Sequence, residues 1–105
     1  MAEGEAFGAV NFPYLERYAS GDAALVREVL TVFRAEAVEW GGRLHAEGGD
    51  WRFLVHSLKG TSRTIGAGAL GDLCAAAERD GGASLPKVRA ELEAVLAEIS
   101  AYLAR

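Results

Sequence analysis

Apolar residues recur at steps of three and four along nearly the whole chain, the period of a helix with one buried face. Asn11 is placed to cap a short first helix that Phe12 and Pro13 enter, with Phe12, Leu15 and Tyr18 or Ala19 as its inner stripe. Proline is tolerated in a first turn because its missing N–H had no partner there. Ser20-Gly21-Asp22 separates this helix from the next, and Asp22 is a natural N-cap. The second helix is predicted from about residue 23 to 44 or 46, with Leu25, Val29, Val32, Phe33, Ala37, Trp40 and Leu44 on one side. Gly41-Gly42 interrupts it, and each glycine costs about 1 kcal/mol relative to alanine in a helix interior. The pair predicts a kink, a close helix–helix approach or an earlier helix end.

Asp50 is placed to cap a third helix over about residues 51–65, with Gly66 as its stop. A fourth, over about 67 to 79 or 80, carries Leu70, Leu73, Cys74 and Ala77 on one stripe and ends at Gly81-Gly82. Ser84 precedes the last helix, Pro86 sits in its first turn, and Val88, Leu92, Val95, Ile99, Tyr102 and Leu103 form its inner face. No segment sustains a two-residue alternation, so no strand is expected. Four amphipathic helices on short turns imply an all-α fold, an antiparallel up-down four-helix bundle over residues 11–105 with the short extra N-terminal helix covering one end. The Gly/Ala/Glu-rich residues 1–10 are expected to be flexible.

A chain of 105 residues fits one domain. Eleven basic against fifteen acidic residues give a net charge of −4, which disfavours nonspecific binding to nucleic acid or an anionic membrane. The single cysteine, Cys74, excludes an internal disulfide. Leaving glycine aside, the longest apolar run, residues 73–77, is far too short to span a bilayer, and the acidic start lacks the basic and apolar parts of a secretory signal. A soluble, cytoplasmic, monomeric protein is the expectation.

The chemistry concentrates in the third helix, at Val55-His56-Ser57-Leu58-Lys59-Gly60-Thr61-Ser62. With His56 at zero, Lys59 falls at about −60°, Gly60 at about +40° and Arg63 at about −20° around the helix, while Leu54, Leu58, Thr61 and Ile65 fall opposite. With the leucines in the core, His56 faces water between two cations and a residue with no side chain. A neutral imidazole is a competent nucleophile, and an unperturbed histidine is mostly neutral at pH 7. Phosphorylation would add about two negative charges, which Lys59 and Arg63 are placed to meet. Gly60 is a poor helix former, and clearance for a partner approaching the ring gives it a purpose.

His56-x-Leu58-Lys59-Gly60-x-Ser62, followed by Ile65-Gly66-Ala67 and then Leu70, Cys74 and Glu78, resembles the signature of histidine-containing phosphotransfer domains of multistep two-component relays. The resemblance implies a histidine that takes a phosphoryl group from the aspartate of one receiver domain and passes it to another. It aligns His56 with the phosphoacceptor, Lys59 with the lysine that helps neutralise the phosphoryl group, and Gly60 with the small residue that opens access. Leu58 and Ser62 align with packing positions. Arg63 is added on helical geometry alone, as a phosphoryl or receiver contact. Val55 stands where alanine is usual, and Ala77 where a leucine often precedes the glutamate. Such domains carry no ATP site or metal of their own, and the receiver supplies Mg²⁺. The implied partners are receiver domains of a hybrid sensor kinase and of response regulators, with Phe53 and the first helix as a candidate apolar rim.

Other reactive residues read more simply. His45 has no companion at ligand spacing and is a surface residue. Cys74 shares a stripe with Leu70 and Ala77 and is a small core residue. Ser57 diverges from His56 by about 100° around the helix and has no third group for nucleophilic catalysis. Glu91, Glu93 and Glu98 read as solvated. Two competing functions remain: a non-phosphorylated helical adaptor that binds receiver or kinase domains, and a histidine-kinase dimerisation hairpin, which would need an ATP-binding domain that this length cannot hold.

Overall fold

Among the described residues five helices follow in sequence: α1 (Phe12–Tyr18), α2 (Ala23–Gly41), α3 (Trp51–Thr64), α4 (Gly68–Arg79) and α5 (Leu85–Leu103). The computed structural model describes residues 8–105, and no strand occurs among the described residues. α2 to α5 form the up-down bundle. Arg27 donates to the Leu103 carbonyl and Arg34 to the Ser100 hydroxyl, which fixes α2 antiparallel to α5. His56 meets Glu78 and Arg63 meets Asp72, which fixes α3 antiparallel to α4. Among the described residues no helix is long and apolar enough to cross a membrane.

The helix ends follow the local chemistry, with two substitutions of partner. Asn11 Oδ1 accepts from the Tyr14 N–H at 3.0 Å and Asp22 Oδ1 from the Leu25 N–H at 3.0 Å, which satisfies one orphan donor at each start. Asp50 and Ser84 occupy N-cap positions without capping through their side chains. Arg43 engages the Asp50 carboxylate, and the Ser84 hydroxyl donates to Asp80. Gly66 ends α3 at φ +90°, where a side chain is strained, and a Cβ there would stand 2.7 Å from the Asn11 carbonyl oxygen. The Asn11 N–H donates to the Gly66 carbonyl at 2.9 Å, so the turn that stops α3 also seats α1. At its other side α1 stacks Phe12 on Tyr102 of α5 with ring centroids 4.4 Å apart.

The segment read as flexible divides. Residues 1–7 lie outside the described residues. Gly8–Val10 is anchored: the Ala9 and Val10 N–H groups donate to the Glu98 carboxylate at 2.8 and 3.0 Å, and Val10 is fully buried. Glu98 is therefore a structural acceptor and not a freely solvated acid.

The core stripe of α5 is as the sequence indicates, with Val88, Leu92, Val95 and Ile99 buried and Leu85 joining them. That of α3 contains Trp51, Leu54, Val55, Leu58 and Ser62. Val55 is fully buried, so its extra bulk relative to alanine is absorbed beneath the helix. α2 departs from expectation. Its buried residues are Val26, Leu30, Phe33 and Ala37, whereas Leu25 and Val32 are 42% and 52% exposed. α2 is apolar around much of its circumference, so periodicity alone does not select between two overlapping stripes. Packing does: α2 lies closely along α5 and stands off from α3, which leaves its α3-facing stripe open. α2 also stops at Gly41, the early end the glycine pair allowed, and Leu44 is buried from the following turn.

Candidate functional site

The middle of α3 faces outward as its helical angles require. Leu54 and Leu58 are buried, and the His56 side chain is 71% exposed. Glu78 of α4 bridges to it. One carboxylate oxygen lies 2.8 Å from His56 Nδ1 and the other 2.6 Å from Lys59 Nζ. The two contacts, from Lys59 first and His56 second, hold the Glu78 carboxyl below its ordinary range, so it is an anion that only accepts. An anion in this contact calls for a proton on Nδ1, and in a neutral ring that tautomer places the lone pair on Nε2. The antiparallel pairing of α3 with α4 builds this arrangement, because it sets Glu78 across from one turn of α3 that carries both His56 and Lys59.

Gly60 lies one turn beyond His56. A Cβ built there meets nothing within 4 Å, so nothing inside the fold demands a glycine. Its cost of about 1 kcal/mol is not offset by internal packing. Arg63 is the sequence-selected residue that the structure sets apart from the His56, Lys59 and Glu78 cluster. Its guanidinium bonds Asp72 at 3.2 Å, and its stem lies across Gly71 of α4, where a Cβ would stand 2.8 Å from Arg63 Cγ. Seven residues separate it from His56, about 10 Å of helix.

The surroundings are apolar on the side away from α4. Phe53 is 71% exposed. Between α2 and α3 runs a groove of about 320 Å³, lined by Leu25, Val29, Val32 and Phe33 on one wall and by Thr61, Thr64 and Ile65 on the other. Tyr14 of α1 shares a smaller hollow with Arg63 and Gly66, which brings the first helix to the same end of the face. Cys74 is buried beneath, and burial foremost pushes its thiol up to about 12, in keeping with a core residue. His45 is exposed.

The motif includes Glu78 but gives it no role. A signal for it exists: it stands four residues after Cys74 in an otherwise alanine-rich stretch, so the stripe that buries Cys74 brings a lone carboxylate to the edge of α3. The groove had no comparable signal, because it depends on how far apart two helices stand.

The family model of the Hpt domain matches residues 28–102. The crystal structure of the histidine phosphotransferase ShpA from Caulobacter crescentus superposes with a TM-score of 0.84 at 45% sequence identity, over 90% of this chain and 90% of that one. No curated protein sequence matches the chain. The match across α2 to α5 and the shared bundle agree with the motif on α3, and the chain belongs to the histidine-containing phosphotransfer domain family.

Proposed function

We propose that the chain is a phosphotransfer intermediate of a two-component relay, with His56 Nε2 as the nucleophile. The observation that carries the reading is the Glu78 contact at Nδ1, which supports the neutral tautomer whose lone pair lies on the opposite nitrogen of an exposed ring. A receiver carrying an aspartyl phosphate docks over α3. The Nε2 lone pair attacks phosphorus, an N–P bond forms, and the P–O bond to the aspartate breaks, returning its carboxylate. The ring becomes a phosphorylated imidazolium that keeps its proton on Nδ1, and the Glu78 carboxylate beside that proton stabilises the charge. Lys59 is the cation nearest the arriving phosphoryl oxygens. The reverse sequence delivers the group to the next receiver.

Gly60 supports the close approach, since the space above it is left for the partner. Arg63 sits about 10 Å along the helix from His56 and is tied to Asp72, which supports a receiver contact over a phosphoryl contact. The receivers belong to hybrid sensor kinases or response regulators. They bring Mg²⁺ and the remaining catalytic groups, and this chain acts as a cytoplasmic monomer without a cofactor of its own.

The test is incubation with a receiver phosphorylated by acetyl phosphate in the presence of Mg²⁺. The expected product is an acid-labile, base-stable phosphate on the chain, absent from His56→Ala, whose helical circular dichroism is unchanged. A label that persists in His56→Ala assigns the chemistry elsewhere. Binding of the receiver with no label on the wild-type chain would favour the adaptor function.

A further inference from the structure

The groove between α2 and α3 is not needed for the chemistry at Nε2, yet it adjoins the His56 face. Gly60 and Thr64 lie at about +40° and +80° from His56 around α3, on the groove side, while Lys59 and Arg63 lie at about −60° and −20°, toward α4. Leu25, Val29 and Phe33 form one row of α2 at steps of four, and Glu28, Val32 and Glu36 form the next. The second row is the outer lip. On the opposite wall the Thr61 hydroxyl donates to the Ser57 and Leu58 carbonyls and the Thr64 hydroxyl to that of Gly60. The polar ends of both threonines are thus satisfied within their own helix, and the groove is an apolar slot. Glu28 and Glu36 are exposed, and among the described residues neither is in an ion pair.

The face is consequently asymmetric: along α2 Glu28 and Glu36 stand outside any ion pair among the described residues, whereas toward α4 Lys59 and Arg63 are each paired with a carboxylate, Glu78 and Asp72, and His56 lies between the two edges. Resting on the phosphotransfer reading, we propose that the slot seats an apolar ridge of the receiver, and that Glu28 and Glu36 select receivers whose ridge is flanked by lysine or arginine. Three features favour this occupant. The slot is continuous with the surface that any receiver must cover to reach His56. Its volume admits a few apolar side chains. Its acidic lip repels an acidic flank and attracts a basic one, and complementarity of this kind acts on encounter rate and choice of partner more than on final affinity.

The experiment measures kcat/KM for transfer from several acetyl-phosphate-loaded receivers, chosen to differ in the charge beside their docking ridge, to the wild-type chain and to Glu28→Lys/Glu36→Lys. Wild type should prefer the receivers with basic flanks. The double variant should lose roughly tenfold with those, gain with acidic-flanked ones, and converge on wild type as salt rises. Glu28→Gln/Glu36→Gln should fall between. An unchanged order of receivers in the double variant overturns the proposal while leaving the phosphotransfer reading intact. A wild-type chain that takes no label from any receiver overturns both. Circular dichroism and melting of the variants monitor the fold, and both glutamates are solvent-exposed positions of a helix whose core stripe is elsewhere.

Discussion

Glu78 Oε2 stands 2.8 Å from His56 Nδ1 and decides which nitrogen of the ring is free. An ionised carboxylate cannot donate, so it selects the Nδ1–H tautomer. Removing it frees the ring to exchange tautomers and to rotate. For Glu78→Ala, nitrogen chemical shifts of the imidazole should move from a predominantly Nδ1-protonated pattern to a mixture. Phosphoryl acceptance should slow roughly tenfold, less than the roughly 10²–10⁴-fold of a group that itself transfers the proton, because Glu78 only orients the ring. An unchanged tautomer in the variant would remove Glu78 from the positioning of His56.

The same carboxylate links stability to pH. Hydrogen bonds from Lys59 and then His56 depress the Glu78 pKa in the folded chain. A depressed carboxyl contributes stability above its unfolded value, about 4.3, and loses it as pH falls through the folded value. Wild type should therefore exceed Glu78→Gln in stability by a constant amount at neutral pH, on the order of 1 kcal/mol for partners this accessible. The gap should close below about pH 4. Urea midpoints of the two proteins across pH 3 to 7 give the comparison, and a gap that widens toward acid would have the wrong sign.

Gly60 separates the needs of the fold from those of the partner. A Cβ at this position meets nothing, so Gly60→Ala should stabilise the helix by about 0.5–1 kcal/mol and raise Tm by several degrees. Gly60→Gln should also fold, because its side chain enters open space. Transfer from a phosphorylated receiver should slow far more with glutamine than with alanine. A melting temperature that drops in Gly60→Ala would reveal an internal need for glycine, and an unaffected rate in Gly60→Gln would end the clearance argument.

How much of this was legible in the chain depends on the range of the interaction. Periodicity and caps give each helix and the outward direction of His56, because those are set within a few residues. Angles around α3 even place Lys59 and Arg63 to one side of His56, though not which helix lies there. The contacts that define the site run between helices. Glu78 follows His56 by 22 residues, and only the register of α3 against α4 makes them partners. Leu25 and Val32 look as buried as Val26 and Leu30, since hydrophobicity states what a residue prefers and not which neighbour arrives to cover it. Glu98 looks solvated until the backbone N–H groups of Ala9 and Val10 are brought to it. Helical angle alone points to Arg63, and it is blind to the notch in α4 that holds it.

That notch makes Gly71 a positioning residue with a separable signature. The three nearest heavy atoms to a Cβ at Gly71 all belong to Arg63, the closest at 2.8 Å, so alanine there collides with this one side chain and with no backbone. Displacing the stem costs little stability because Arg63 is half exposed, and it breaks the guanidinium's contact with Asp72. A standard interface covers about 800 Å² per partner, a disc of roughly 16 Å radius. Centred on His56, it includes a residue about 10 Å along the helix. If the fixed guanidinium meets the receiver, Gly71→Ala should raise KM for the phosphorylated receiver a fewfold, with the loss falling on KM more than on kcat. Arg63→Ala should do the same, and Gly71→Ala added to Arg63→Ala should cost nothing further, because the atoms it displaces are gone. Additive losses in that cycle would show that Gly71 acts on the packing of α3 against α4 and not through Arg63.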